Sequence, residues 1–241
     1  NVAVGHSAGA AMTTGTNNVL IGSQAGDALT TGSGNVAIGH EALSAEDAHG
    51  RNVAIGYLTL QSQNAGALAY NVAVGYSAGI AVTTGVRNTL IGGLSGDAIT
   101  TGGDNVSLGY NSLSSSTIGN SNVAIGSFTM GTNVAADRNV AIGLGSLQNM
   151  TSATTADTYN TAIGYAAGTA VTTGTNNTIL GGLAADALTI GHNNIAIGYK
   201  ALSASVDGDY NVAIGYAALE DYEDGDGNGH NTAIGSSSQT N

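Results

Sequence analysis

Asn35-Val36-Ala37-Ile38-Gly39 is followed, 17 residues on, by Asn52-Val53-Ala54-Ile55-Gly56, and close relatives of the phrase stand in twelve other places. Its first Asn falls at 1, 18, 35, 52, 71, 88, 105, 122, 139, 160, 177, 194, 211 and 231, and ten of the thirteen spacings are 17 residues. The others are 19, 21 and 20. A period this short and this regular predicts stacked coils rather than a globule folded around a pocket. The repeats run from end to end, so residues 1–241 are read as one all-β domain, a parallel β-roll or β-solenoid of fourteen coils. Solenoids normally finish in atypical caps. None opens this chain at Asn1, which suggests a segment of a longer fibre.

Positions within a coil are numbered here from its Asn. Position 1 is always Asn and position 5 always Gly. Position 2 is Val, Thr or Ile, and position 4 is Val, Ile or Leu. β-Branched residues at alternate positions mark a short strand, with Val and Ile on one face. The constant Gly predicts a positive φ or an approach too close for a Cβ. Stacked at the strand spacing of about 4.8 Å, fourteen coils would make a rod of roughly 65–70 Å. A column of Asn at position 1 either bonds amide to amide along the stack or favours a turn in each coil; the two are compatible.

Positions 9 and 12 compensate. Gly9, Gly26, Gly79, Gly96, Gly168 and Ala185 accompany Met12, Leu29, Val82, Ile99, Val171 and Leu188. Leu43, Leu60, Leu113, Met130 and Leu202 accompany Glu46, Gln63, Ser116, Asn133 and Ser205. Leu147 with Met150 and Leu219 with Tyr222 depart from the rule, in coils that carry insertions; the simplest reading is that each coil has room for about one large side chain at these positions. Position 3 is usually Ala and becomes Leu20, Leu90 or Ile179 only in the second coil of a block of four or five, which suggests growth by duplication of blocks.

Positions 1 to 5 carry no charge in any copy. With Val and Ile expected to point inward, position 3 forms an outer stripe of small apolar residues. A stripe of that kind asks for burial against another copy of the chain. The opposite facing, Ala inside with Val and Ile exposed, is expected to be the poorer arrangement for a monomer.

Composition narrows the partners. Sixteen acidic residues against four basic ones give a net charge of −12, which disfavours nucleic acid and anionic membrane surfaces. No apolar run is long enough for a spanning helix. The absence of Cys removes disulfides and thiolate metal sites and leaves an extracellular location open.

The phrase at Asn35–Gly39, Asn52–Gly56, Asn122–Gly126, Asn139–Gly143 and Asn211–Gly215 resembles the head repeat of trimeric autotransporter adhesins and the related repeats of bacteriophage and viral tail fibres. Asn194-Ile-Ala-Ile-Gly-Tyr-Lys-Ala-Leu202 and Thr172-Thr-Gly-Thr-Asn-Asn177 are similar to the viral forms. The resemblance covers the whole chain. It implies a left-handed β-roll, a homotrimer and an extracellular place on a bacterial surface or a virion tail fibre. Adhesin heads have coils nearer fourteen residues, so no ligand-binding residue is carried over.

Local chemistry is sparse. Asp224, Asp226, Asn228 and Gly229 match the opening of a calcium loop, without its closing Glu. Asp207 and Asp209 occupy positions 14 and 16 of the preceding coil, and Asp224 and Asp226 the same positions of the next. In register, these residues converge at one edge and form a candidate calcium site; the alternative is a solvated acidic loop. Tyr57, Tyr76, Tyr110, Tyr165, Tyr199 and Tyr216 share position 6 with His6 and His40. Such a column either stacks on sugars or partners, or is a structural ladder. The five His otherwise share no metal spacing. Paired Thr, as at Thr13-Thr14, break off after two coils and make a poor lattice for ice. No nucleophile elbow or phosphate loop is present, so no enzyme is expected. The leading expectation is an extracellular adhesive segment that presents a rigid surface to a host glycan or protein receptor; the alternative is a passive shaft between an anchor and a separate tip.

Overall fold

The computed structural model describes residues 1–152, 156–222 and 229–239. The chain is an all-β parallel β-solenoid of about 13 turns with about 17 residues per turn, and no helix among the described residues. It comprises two compact units, Asn1–Asn120 and Ser121–Asn241.

The first unit holds β1 (Val2–Val4), β2 (Val19–Ile21), β3 (Val36–Ile38), β4 (Val53–Ile55), β5 (Val72–Val74), β6 (Thr89–Ile91) and β7 (Val106–Leu108). Each pairs in parallel with the next, like position on like position, as Val36↔Val53, Ala37↔Ala54 and Ile38↔Ile55 do. The second unit holds β8 (Val123–Ile125), β9 (Ala136–Asp137), β10 (Val140–Ile142), β11 (Ala156–Asp157), β12 (Thr161–Ile163), β13 (Thr178–Leu180), β14 (Ile195–Ile197), β15 (Val212–Ile214) and β16 (Thr232–Ile234). Its main sheet runs β8-β10-β12-β13-β14-β15-β16 with the same parallel register. β9 and β11 form a separate short pair. Because 17 residues close one turn, every coil donates and accepts backbone hydrogen bonds with its neighbours outside the strands too, as in Gly9 N–H to Ala25 O at 3.0 Å and Thr13 N–H to Thr30 O at 2.9 Å.

The facing of the strands reverses the sequence expectation. Ala37, Ala54, Ala73, Ala141 and Ala162 at position 3 are fully buried. Positions 2 and 4 lie half-buried or exposed on the outer face. The reason lies in parity. Side chains alternate along a strand, and the Asn at position 1 is buried too. Its amide serves backbone groups inside the coil, so position 3 must share that side. A coil this narrow also admits only the middle residue of a three-residue strand, in most coils a small one.

The Asn column bonds along the stack and also across its own coil. Asn88 Nδ2 donates to Gly102 O at 2.9 Å within its own coil, and Asn88 Oδ1 accepts the Asn105 backbone N–H at 3.1 Å in the next. Amide-to-amide bonds join in some steps, such as Asn105 Nδ2 to Asn88 Oδ1 at 3.1 Å and Asn194 Nδ2 to Asn177 Oδ1 at 3.1 Å.

Position 5 needs Gly for two reasons at once. Its φ lies between 126° and 142° in all fourteen coils, and a Cβ on Gly5 would overlap the Gly22 carbonyl oxygen one coil away. Three further positions take left-handed backbone in every complete coil: 7, 9 and the last residue before Asn, as at Leu58 (φ 54°), Leu60 (φ 49°) and Tyr70 (φ 54°). Most are not Gly, which kept these corners out of the sequence-based expectation. They are the corners that let so short a segment close on itself.

The compensation at positions 9 and 12 holds inside most coils, where Leu29, Leu43, Leu60, Val82, Ile99, Leu113 and Met130 are all fully buried, but the longer ninth coil encloses both Leu147 and Met150. Position 3 belongs to the same set. A Cβ on Gly79 would come within 2.7 Å of Leu90 Cδ1, and one on Gly96 within 2.8 Å of Leu90 Cδ2. Two successive glycines at position 9 thus make room for one Leu at position 3, which explains why Leu20 and Leu90 appear only in the second coil of a block.

Candidate functional site

The reversed facing moves the candidate site to the outer face of each sheet. In the first unit this face carries Val36, Val53 and Val72 at position 2 and Ile38, Ile55 and Val74 at position 4, stacked in two parallel columns. Several members are well exposed, including Val4, Ile91 and Leu108. The second unit repeats the position 4 column, with Ile163 and Ile234 among its exposed members, while its position 2 column intersperses Thr161, Thr178 and Thr232 with Val and Ile, as Thr89 does in the first unit. No charged side chain interrupts either pair of columns, because positions 1 to 5 carry none. A two-column aliphatic strip of this kind exceeds the scattered apolar residues normal on a soluble monomer.

Two ladders flank the strip. On the far side of Gly5, His40 stacks on Tyr57 with ring centroids 5.3 Å apart, and Tyr57 on Tyr76 at 5.5 Å. Tyr199 stacks on Tyr216 at 5.7 Å. All the Tyr of this column are exposed. On the near side, the last position of the coil holds the three Arg, each tied to its neighbour one coil on. Arg51 donates to Tyr70 OH at 2.7 Å and lies over its ring at 5.5 Å. Arg138 pairs with Asp157 and lies over Tyr159 at 5.8 Å. Arg87 makes a two-pronged contact with Asp104 at 2.6 and 2.7 Å. Those hydrogen bonds hold the Asp104 carboxyl below its ordinary range. Each of these Arg is thereby matched within its own unit, and the rings of Tyr57, Tyr76, Tyr199, Tyr216, Tyr70 and Tyr159 lie against another group of the chain. What stays unmatched is the aliphatic strip between the ladders.

The candidate calcium residues are only partly placed. Asp224, Asp226 and Asn228 lie outside the described residues. Asp207 and Asp209 are half-buried, and Asp209 Oδ1 accepts the His192 backbone N–H at 2.6 Å. That contact belongs to another ladder, in which position 16 of one coil accepts from the backbone of the coil before it. Thr16 N–H to Ser33 Oγ at 3.0 Å and Thr175 N–H to His192 Nδ1 at 3.0 Å are further steps. The Thr hydroxyls are likewise turned along the stack, with Thr13 Oγ1 on Thr30 O and Thr83 Oγ1 on Thr100 O.

Two kinds of carboxylate escaped the sequence reading. Asp27, Asp97 and Asp186 all occupy position 10, and each has one buried oxygen without a hydrogen-bond partner. Burial pushes the carboxyls of Asp97 and Asp186 above the ordinary aspartate value. Glu46, read as a polar filler at position 12, is fully buried. Their recurrence at one position in the second coil of a block was the available signal for the Asp trio; for Glu46 it was a charge at a position otherwise neutral. No helix among the described residues is long and apolar enough to cross a membrane. No protein-family model, no curated protein and no solved structure matches this chain.

Proposed function

We propose that the chain is a segment of an extracellular adhesive fibre, in which the Val/Ile face of each unit packs against sister chains. The observation that supports this is the charge-free aliphatic strip, bounded on both sides by ladders already satisfied within the chain. Burying apolar surface stabilises an assembly by about 25 cal/mol per Å², and a continuous strip supplies that surface without desolvating a charge. The resemblance of the Asn-Val-Ala-Ile-Gly repeats to trimeric adhesin heads and phage tail fibres gives the chain count, three. In this reading the segment performs no catalysis. Its exposed Tyr ladders are presented repeatedly along a rigid surface, so weak contacts to a host glycan or protein receptor add by multivalency.

A second reading has support of its own: a passive shaft. Asn amides, Gly corners and backbone bonds tie each coil to the next, and that continuity alone suits a spacer. Light scattering on the purified segment tests the assembly. A mass three times the chain mass of 23.5 kDa is expected, and a monomer at working concentration overturns it. Binding of the same material to glycan arrays and host cells separates the two roles, since a shaft binds neither.

A further inference from the structure

We propose that Glu46, Asp47 and His49 form a binding site for a divalent first-row transition ion of the zinc type. The three residues lie in one corner of the third coil, and a carboxylate oxygen from each acid and a ring nitrogen of His49 all fall within 4.8 Å of one another. His49 Nδ1 stands 3.6 Å from Glu46 Oε1. Ligands about 2.0–2.2 Å from a tetrahedral ion are themselves roughly 3.3–3.6 Å apart, so this pair already has the separation a shared ion needs. Asp47 is exposed and closes the remaining distance by rotating its side chain.

The independent sign of a ligand is the state of the buried atoms. Glu46 is the only fully buried carboxylate among the described residues. Its Oε1 accepts the His49 backbone N–H at 3.0 Å, but Oε2 has no hydrogen-bond partner, and neither has His49 Nδ1. One coil further on, the same position is Gln63, whose Oε1 accepts from Asn71 Nδ2 at 2.6 Å. The corresponding donor beside Glu46, Asn52 Nδ2, has no partner. Glu46 therefore does not do what the polar residue at position 12 does next door. A buried carboxylate with one oxygen left without a hydrogen-bond partner is expensive, and a cation held between it and the imidazole supplies the missing partner. Two carboxylates and one imidazole suit Zn²⁺ or its first-row neighbours better than an all-oxygen Ca²⁺ cage. This site is separate from the acidic edge at Asp207 and Asp209 and does not depend on the adhesive reading.

The test uses the whole chain, stripped with a chelator and titrated with ZnCl₂ in a calorimeter. One saturable equivalent per chain is expected, with a rise in melting temperature. Glu46→Gln places in this coil the residue the next coil already carries, so it should fold; it is expected to weaken Zn²⁺ binding at least tenfold, as is His49→Gln. Asp209→Asn should bind as the parent does. With Co²⁺ as the probe, the parent should show visible ligand-field absorption that both variants lose. Absence of saturable binding to the parent, or parental affinity in Glu46→Gln, overturns the proposal.

Discussion

A single methyl group decides the fate of position 5. Gly56 has φ 139°, and a Cβ there would overlap the Gly75 carbonyl oxygen and lie 2.7 Å from Thr59 Oγ1. Gly56→Ala thus combines a forbidden backbone region with a clash between coils, and should lower unfolding stability by about 2–5 kcal/mol in urea titrations. The corner positions respond in the opposite direction. Phe128 is exposed and holds φ 58°, where an L-residue is disfavoured by roughly 1–2 kcal/mol. Phe128→Gly should recover about 1 kcal/mol of that strain in the same assay. Asp97 adds a pH signature. Burial raises its carboxyl above the ordinary aspartate value of 3.8, so the folded chain holds that proton more tightly than the unfolded chain does. Its contribution is most favourable below pH 3.8 and declines as pH rises through the folded value. Asp97→Asn should accordingly raise the melting temperature at pH 7 and leave it nearly unchanged at pH 3.

At the scale of the coil, stability rests on columns rather than on single contacts. Removing the Asn88 side chain leaves Gly102 O and the Asn105 N–H without their partners, and takes away the acceptor of Asn105 Nδ2. Buried groups left unsatisfied cost about 1–3 kcal/mol each, so the two backbone groups orphaned in Asn88→Ala should cost about 2–6 kcal/mol. Leu90 and Gly96 should behave as a coupled pair. Leu90→Ala opens a cavity worth about 2–5 kcal/mol, and Gly96→Ala drives a methyl into Leu90 at about 1–3 kcal/mol. The double variant should lose less than the sum, with a coupling of about 0.5–3 kcal/mol. Ala185 shows that position 9 admits a Cβ when position 3 is Ile179. These columns also show how far the sequence could be read. The coil, the Gly corner and the Asn ladder were legible because each repeats fourteen times against a changing background, and the trade between positions 9 and 12 because eleven coils show it. The facing of the strand was not. A three-residue strand gives alternation only one full period, and hydrophobicity alone favoured Val and Ile inside. The buried Asn at position 1 held the contrary information through parity. The left-handed corners were hidden because Leu, Tyr and Arg there do not advertise φ > 0 as Gly does. Glu46 and His49 were hidden because a carboxylate at position 12 looks like one more polar filler until its orphaned oxygen is seen.

For the molecule as a whole, the reversed facing sharpens the case for association, because Val and Ile make a larger and more cohesive exposed surface than Ala. Substitutions on this face should therefore separate folding from assembly. Ile38 and Ile91 lie at position 4 of β3 and β6, three coils apart, roughly 14 Å at strand spacing. Two carboxylates at that distance are largely screened from each other, so Ile38→Asp with Ile91→Asp should leave the coil intact, at about 1 kcal/mol of lost strand preference per site. Across an interface the same charges would be stripped of water and brought against aliphatic neighbours, at several kcal/mol for each buried ion. The expected outcome is an unchanged far-ultraviolet circular dichroism spectrum together with a fall in solution mass to that of one chain. A matched pair on the interior, Ala37→Asp with Ala73→Asp, should instead abolish folding, because both alanines are fully enclosed. If the outer-face variant keeps the parent's multimeric mass, the sister chains meet elsewhere and the aliphatic strip has another occupant.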